Sequence, residues 1–439
     1  MKKILFILTL VPLLTFGQSG FSFFGGQYSS FGQSFKKNSN GNYIFCGSVI
    51  TGENYGMLPL IGNYSSGGNF LWSKTYFDGF ESITDGNDGA CYSICESNED
   101  EFTLVGYRMI PENGLGEYTE GFIMKVDSEG NELYSMATEE KYSSIIYLSD
   151  NTFLTSNDNG SDLTLSKLDS EFNILWEQSF DDVNRESFGG PASFSETNDS
   201  GLIISSSISN VLGERPIIIK TDGNGNQEWS ETIHASNSNI ANGSSFSSLQ
   251  TTDNQGYLVA SNIEMASVGQ ALRRIEFTKL DMDGNIISTI VKDGPMIGRD
   301  MKSTLDGGLI TCGFQINDEG WPQTFLMKTD QIGNELWYKI FSSEEFNGIF
   351  SVEVQETDAG DFLIMSNIDR DFNPKTEILI IKTDSQGNLL SSDILEINEN
   401  KTLLKTIDIL GRDSENKPFS PLIDLYDDGS AKKRMIIEF

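Results

Sequence analysis

The chain has 439 residues, 38% hydrophobic and 11% aromatic, which suffices for a large core and is unlike a disordered segment. It carries 30 basic against 64 acidic residues, net −34, so long-range repulsion disfavours nucleic acid and anionic membranes as partners. Its 43 glycines, with clusters of Ser, Asn and Asp, break up short runs rich in Ile, Phe, Leu and Thr. That is the composition of an all-β protein with many turns.

In chain order, MKKILFILTLVPLLTFGQS at 1–19 reads as a secretory signal peptide over 1–17, cut after Gly17 to leave Gln18. Its apolar part is too short to span a bilayer, and no Cys at the junction offers a lipid anchor. No later stretch is apolar enough to span one, so the expected mature chain is soluble and secreted or held at the outer cell surface. Cys46, Cys91, Cys95 and Cys312 are too few to make a disulfide framework in so long a chain. One bridge after export and buried free thiols both remain open, and no pairing can be deduced from spacing.

The segment KTDGNGNQEW at 220–229 decides the architecture, because it recurs. Its Asp222, Gly225 and Asn226 reappear as Asp127, Gly130 and Asn131 in KVDSEGNELY and as Asp281, Gly284 and Asn285 in KLDMDGNIIS. They appear again as Asp330, Gly333 and Asn334 in KTDQIGNELW, and as Asp384, Gly387 and Asn388 in KTDSQGNLLS. KLDSEFNILW at 167–176 keeps Asp169 and Asn173 but has Phe172 where the glycine should be. NYSSGGNFLW at 63–72 keeps Gly68, Asn69 and Trp72 alone. The copies succeed one another at intervals of 42 to 62 residues.

A second element lies about halfway between them, as in NGNYIFCGS at 40–48, DSGLIISSS at 199–207 and DGGLITCGF at 306–314. Short strands flank both elements, so each repeat holds about four strands joined by hairpins, the content of one propeller blade. Seven copies predict a seven-bladed β-propeller over 18–398. The aspartate is expected to accept turn amides, Gly and Asn to supply positive φ, and the Trp to fill the gap between blades.

The repeats resemble those of extracellular Bacteroidetes proteins with the form "DGGYIIAG … LIKTDxxGNxxW", which are read as propeller blades. The resemblance covers about residues 21–395 and implies the fold more than any activity. FSFFGG at 21–26 resembles the residues just after the tryptophan in other copies and is expected to close the last blade.

Composition changes near residue 399. Residues 399–439 carry 7 basic and 8 acidic side chains and the leader two lysines, which leaves 21 basic and 56 acidic residues for 19–398. The acidity therefore belongs to the propeller. The tail reads as three short strands with turns at Gly411-Arg412 and Asp427-Asp428-Gly429. IDILGR, LYDDGS and the basic ending KKRMIIEF, with Lys432 and Lys433, resemble a short C-terminal sorting segment of type IX secretion cargo. That resemblance implies a type IX-like secretion machinery as partner. A YPNP-like opening, found in the longer form of that domain, is absent, which leaves cleavage of the segment open.

Chemistry is sparse. DMDGN and DGNGN superficially resemble the start of a calcium loop, but after Asp281 come Ile286 and Ile287 and the twelfth position is Lys292. Turns explain the motif better, so no cofactor and no metal is expected. The hairpins distantly resemble the Asp-boxes of sialidases, yet Arg273 and Arg274 are the only adjacent arginines. His234 is the sole histidine, which removes histidine-rich metal centres and restricts any Ser-His-Asp triad to one residue. Tyr55, Tyr118 and Trp321 are candidate sugar-stacking rings, and 111–120 and 317–322 read as polar loop insertions. The expected function is a non-enzymatic, monomeric propeller binding a protein or glycan through its loop face. The alternative is a glycan hydrolase or lyase using carboxylates at the channel mouth.

Overall fold

A computed structural model describes residues 21–24, 29–51, 56–66, 69–77, 89–98, 100–112, 116–157, 163–180, 183–184, 193–210, 213–234, 239–251, 253–265, 272–342, 346–370, 376–390, 395–396, 403–408, 412, 421–426 and 431–435. The described residues form strands and turns only. The signal peptide, Tyr55, Gly68, Gly411, Asp427, Asp428 and Gly429 lie outside them.

Seven antiparallel meanders succeed one another along the chain, the first six built on four strands in sequence order and the last on three joined by one from the start of the chain. The first runs Ser30–Lys37, Tyr43–Thr51, Gly56–Tyr64 and Phe70–Thr75. In the fourth blade the opening strand is split into Val183–Asn184 and Ser193–Glu196, both paired with Leu202–Asn210. This is a seven-bladed β-propeller. The last blade takes its outermost strand from the start of the chain: Phe21–Phe24 pairs antiparallel with Thr376–Thr383, from Phe21 opposite Ile381 to Phe24 opposite Ile378. The ring is thus fastened by a strand more than 350 residues away in sequence, as FSFFGG led us to expect.

The burial pattern is set by position in the blade. Third strands such as Gly213–Thr221 are buried along Ile217, Ile218 and Ile219, because neighbouring blades cover both faces. Fourth strands such as Glu132–Thr138 are mostly exposed. The core is accordingly not one body. Seven buried clusters occur, and each spans two adjacent blades: Ile203, Ile218 and Ile233 of the fourth blade meet Tyr257, Val259 and Leu280 of the fifth. The seventh and first blades join in the same way through Leu363, Met365, Phe35 and Phe45. Each such side chain contributes roughly 1.5–3 kcal/mol by leaving water. The stability therefore resides in seven interfaces.

Polar bonds between first strands reinforce them. A bulge in each of several first strands precedes a residue that reaches the next blade's backbone. Ser93 Oγ accepts from Ile145 N at 3.2 Å, Ser195 Oγ donates to Ser248 O at 3.2 Å, and Ser247 Oγ donates to Met301 O at 3.1 Å. Asp300 accepts from Val354 N at 3.1 Å and Glu353 from Phe35 N at 2.7 Å, which carries the series across the closure.

The chain divides into two compact units, Met1–Leu395 and Glu396–Phe439. In the second, Leu403–Asp408, Pro421–Tyr426 and Ala431–Met435 form a three-stranded antiparallel sheet, with Lys432 and Lys433 opposite Asp424 and Ile423.

Candidate functional site: two ends of the propeller

The hairpins joining first to second and third to fourth strands lie at one end of the ring. The second-to-third hairpins and the crossings between blades lie at the other. We call these the turn end and the loop end.

At the turn end one geometry repeats. Asp222 Oδ1 accepts from Asn224 N at 2.8 Å and Asn226 N at 2.9 Å, and Oδ2 accepts from Asn226 Nδ2 at 2.9 Å. Asp127, Asp169, Asp281, Asp330 and Asp384 do the same with Asn131, Asn173, Asn285, Asn334 and Asn388. These bonds, the Asn side chain's first and backbone amides second, hold Asp169, Asp222 and Asp281 below the usual aspartate value. The carboxylates are thereby occupied by their own turns. Among the described residues no group of three or more His, Cys, Asp or Glu is placed to hold a metal ion.

Each turn glycine also has a neighbour. A Cβ on Gly225 would stand 2.7 Å from the Trp176 ring, and φ there is +81°. Gly130, Gly284 and Gly387 sit against Trp72, Trp229 and Trp337 in the same way. The tryptophan of one blade thus lies on the turn of the next. The third blade inverts the fit: the preceding motif ends in Tyr134, a smaller ring, and Phe172 takes the glycine's place at φ +67°, its centroid 5.9 Å from Tyr134. Phe172 is buried, stacks near Phe153 and lies 4.8 Å from Lys125 Nζ. Packing there offsets the strain of a left-handed aromatic residue.

The motif lysine had no assigned role in the sequence. Lys220, 2% exposed, reaches Asp199 at 3.0 Å and Glu228 at 3.2 Å, and Lys328 reaches Asp306 at 2.8 Å. It therefore ties the two hairpins of its own blade together. The Thr-x-Asp spacing of Thr197/Asp199, Thr251/Asp253 and Thr304/Asp306 was the available signal, since each Thr hydroxyl bonds that Asp.

The first strands of the sixth, seventh and first blades carry charge. Glu353 is bonded to Lys36 and lies 3.4 Å from Lys302, which is also 3.1 Å from Asp300. Burial opposes the charge on Glu353, but Lys36 and Lys302 hold its carboxyl below the usual range. Nearby, Lys37, Lys302, Leu305, Gln355 and Asp358 line a cavity of about 280 Å³. Glu353, paired with two lysines and bonded to Phe35 N of the first blade, is built as an inter-blade tie.

The described parts of the loop end differ from one another. The stretch at 111–120, expected as a loop insertion, instead lengthens a hairpin: Glu101–Glu112 and Gly116–Asp127 stay paired to Glu112 opposite Gly116, with Tyr118 opposite Ile110. Alternation of Tyr118 with small and acidic residues hid this strand. At 317–321 there is a tight turn, with Asn317 Oδ1 accepting from Trp321 N at 2.8 Å and Trp321 47% exposed. Tyr92 and Tyr107 lie 5.5 Å apart with Lys141 5.8 Å from the Tyr107 ring.

Between the fourth and fifth blades this end holds a cluster that sequence reasoning missed. Three residues before the motif lysine, or its Asn63 equivalent, stand Leu60, Phe122, Thr164, Ile217, Phe325 and Leu379, all buried. The fifth blade has Glu276 there, 1% exposed. Its Oε2 lies 2.6 Å from His234 Nε2, and Arg274 pairs with Oε1. His234 adopts φ +59°, and the fully buried Arg215 donates to its carbonyl at 3.1 Å and to Ile240 O at 3.0 Å. Beside it, burial raises the Glu214 carboxyl. The contact with Glu276 Oε2 and the backbone at φ +59° orient the His234 ring through its Nε2 edge. Comparing repeats with one another was the signal that would have found Glu276. His234 is thus a paired residue at a blade crossing, and Arg274 serves a carboxylate of the protein itself.

No family model matches the chain, and no curated protein sequence does. Among solved structures, the β-propeller domain of the Trilobed protease from Pyrococcus furiosus is similar at 10% identity and a TM-score of 0.47, over 84% of this chain and 97% of that one. The polysaccharide lyase Uly1 matches at 9% identity and 0.47, over 82% and 91%. A protein of unknown function from Bacteroides caccae matches at 10% and 0.38, over 67% and 94%. Identities this low with TM-scores under 0.5 carry no argument about what the chain does.

Proposed function

We propose that this is a secreted or cell-surface, non-enzymatic propeller that binds a protein or glycan through its loop end. One observation carries the reading: the turn end repeats one geometry in six blades, whereas the described parts of the loop end differ, with a lengthened hairpin in the second blade, the Asn317 turn in the sixth and the Glu276–His234 pair between the fourth and fifth. Variation on a rigid frame is where binding normally resides. The exposed Trp321 and the Tyr92–Tyr107 pair supply flat rings of the kind that stack on sugars. The leader-like start and the IDILGR, LYDDGS and KKRMIIEF segments support export by a type IX-like route, with the tail as sorting segment.

The purified mature chain is to be tested against a glycan array and a surface extract, with and without chelator. Retention that loop-end changes such as Trp321→Ala abolish and turn-end changes leave intact is expected. Binding lost on chelation would instead argue for calcium. For export, a chain ending at 398 should stay inside the producing cell; its normal appearance outside would remove the sorting role.

The Glu276–His234 pair favours a second reading, in which an oriented imidazole abstracts a proton from a bound glycan. Turnover of array-positive glycans that His234→Asn abolishes, with binding retained, would replace the first reading by this one.

A further inference from the structure

We propose that Cys46 and Cys91 form a disulfide joining the first and second blades when the chain folds under oxidising conditions. All four cysteines are buried thiols in the structure. Cys46 lies on the second strand of the first blade, opposite Ser34 just past the bulge. Cys91 lies on the first strand of the second blade, just before its bulge. Both belong to the cluster that fills this one interface, where Cys91 Sγ also reaches Ser93 O at 3.7 Å.

Equivalent positions in other blades explain why they face each other. Met365 and Gly32 occupy them between the seventh and first blades, and a Cβ on Gly32 would stand 2.8 Å from the Met365 sulfur. Cys312 and Ser351 occupy them between the sixth and seventh, where Ser351 Oγ donates across the gap to Gly313 O, next to Cys312. At all three of these gaps the fold therefore brings these two positions face to face. Only the gap between the first and second blades fills the place with two thiols. Cys95 belongs to the next interface and Cys312 to the one between the sixth and seventh blades, so neither has a cysteine to pair with.

The chemistry needs an oxidant, here a small-molecule or protein disulfide. One thiolate attacks that disulfide, and the second displaces the mixed intermediate. The two cysteines lose two protons and two electrons and gain the S–S bond, while the oxidant's disulfide leaves as two thiols. Burial, and then the contact with Cys91, pushes the Cys46 thiol well above its ordinary value, so the closed interface holds little thiolate. The bond is accordingly made before the first two blades close on each other.

This rests on the export reading only for where the oxidant is met. The test is therefore made first in vitro. The reduced, denatured full chain is refolded with reduced and oxidised glutathione, then denatured, alkylated and digested. The expected result is alkylation at Cys95 and Cys312 only, with the Cys46 and Cys91 peptides joined and two hydrogens lighter. Cys46→Ser, which copies Ser156 at the equivalent place in the third blade, should fold and leave three alkylated cysteines. Folded reduced protein should take up the bridge at least ten-fold more slowly than refolding protein. Four alkylated cysteines in refolded chain, or a bridge through Cys95 or Cys312, would overturn the pairing. A bridge in vitro with four thiols in chain recovered from its producing cell would leave the pairing standing and sink export to an oxidising compartment.

Discussion

The two ends of the propeller are made from the same strands and differ in what their residues are bonded to. At the turn end, aspartate, asparagine and lysine bond to their own or the adjoining hairpin, as Asp222 does to Asn224 and Asn226. At the loop end, Glu276 reaches across a blade boundary to His234 and stands where five sister blades bury apolar side chains and one a threonine. A polar residue that repeats is part of the frame. One that breaks the repeat marks a place where the frame has been altered for something else.

Substitutions can break this contrast in turn. Gly225→Leu places a side chain at φ +81° against Trp176, with a Cβ only 2.7 Å from the ring. Strain and overpacking together predict a loss of about 4 kcal/mol, read from the denaturant midpoint. Glu276→Leu copies Leu60 and Leu379 yet leaves Arg274 and His234 without their carboxylate, so a loss of about 3 kcal/mol is expected. Adding Arg274→Gln, the residue at the matching position 323 of the sixth blade, should recover most of it. If Glu276→Leu is neutral alone, the cluster is not the tightly coupled group described.

Phe172→Gly restores the consensus turn and should nevertheless destabilise, by about 2–3 kcal/mol, because it opens a cavity beside Tyr134 and Phe153. A stabilising result would mean that left-handed strain outweighs packing. Asp222→Ala removes three hydrogen bonds from an exposed turn and should lower the denaturant midpoint by less than Phe172→Gly does. The smallest effect is acidic. Burial opposes ionisation of Asp306, but Lys328, Thr304 and the Gly308 amide hold its carboxyl at about 2, below the ordinary 3.8. Its stabilisation is therefore full above pH 3.8 and fades as pH falls towards 2. Because the carboxylate is 63% exposed, solvent screens the pair, and Asp306→Asn should differ from the parent by less than about 1 kcal/mol at neutral pH. The two midpoints should converge near pH 2.

The motif spacing made the blade number legible, because it depends on short-range turn chemistry repeated from blade to blade. Trp229 between blades was legible for the same reason. The likeness of FSFFGG to the residues after the tryptophan in other copies made the closing strand legible. Hairpin extension at 101–127 was not, since its residues do not alternate cleanly between apolar and polar. Glu276 was hidden in the run RRIEFTKL, where one acid among apolar residues looks like an ordinary strand position. The partner of the motif lysine was also hidden, because Asp199 lies about twenty residues from Lys220 and meets it only through pairing of the second and third strands.

By itself, the sequence determined what local rules control: seven units, their turns, the acidic surface and a compositionally separate tail. Tertiary structure alone decided which residues meet across the blade gaps. It set tryptophan on glycine, Cys46 beside Cys91 and His234 on Glu276. The physical reason is that turn geometry is written in four or five neighbouring residues, whereas a blade gap brings together side chains about fifty residues apart. Their match is fixed by shape and charge in the closed ring.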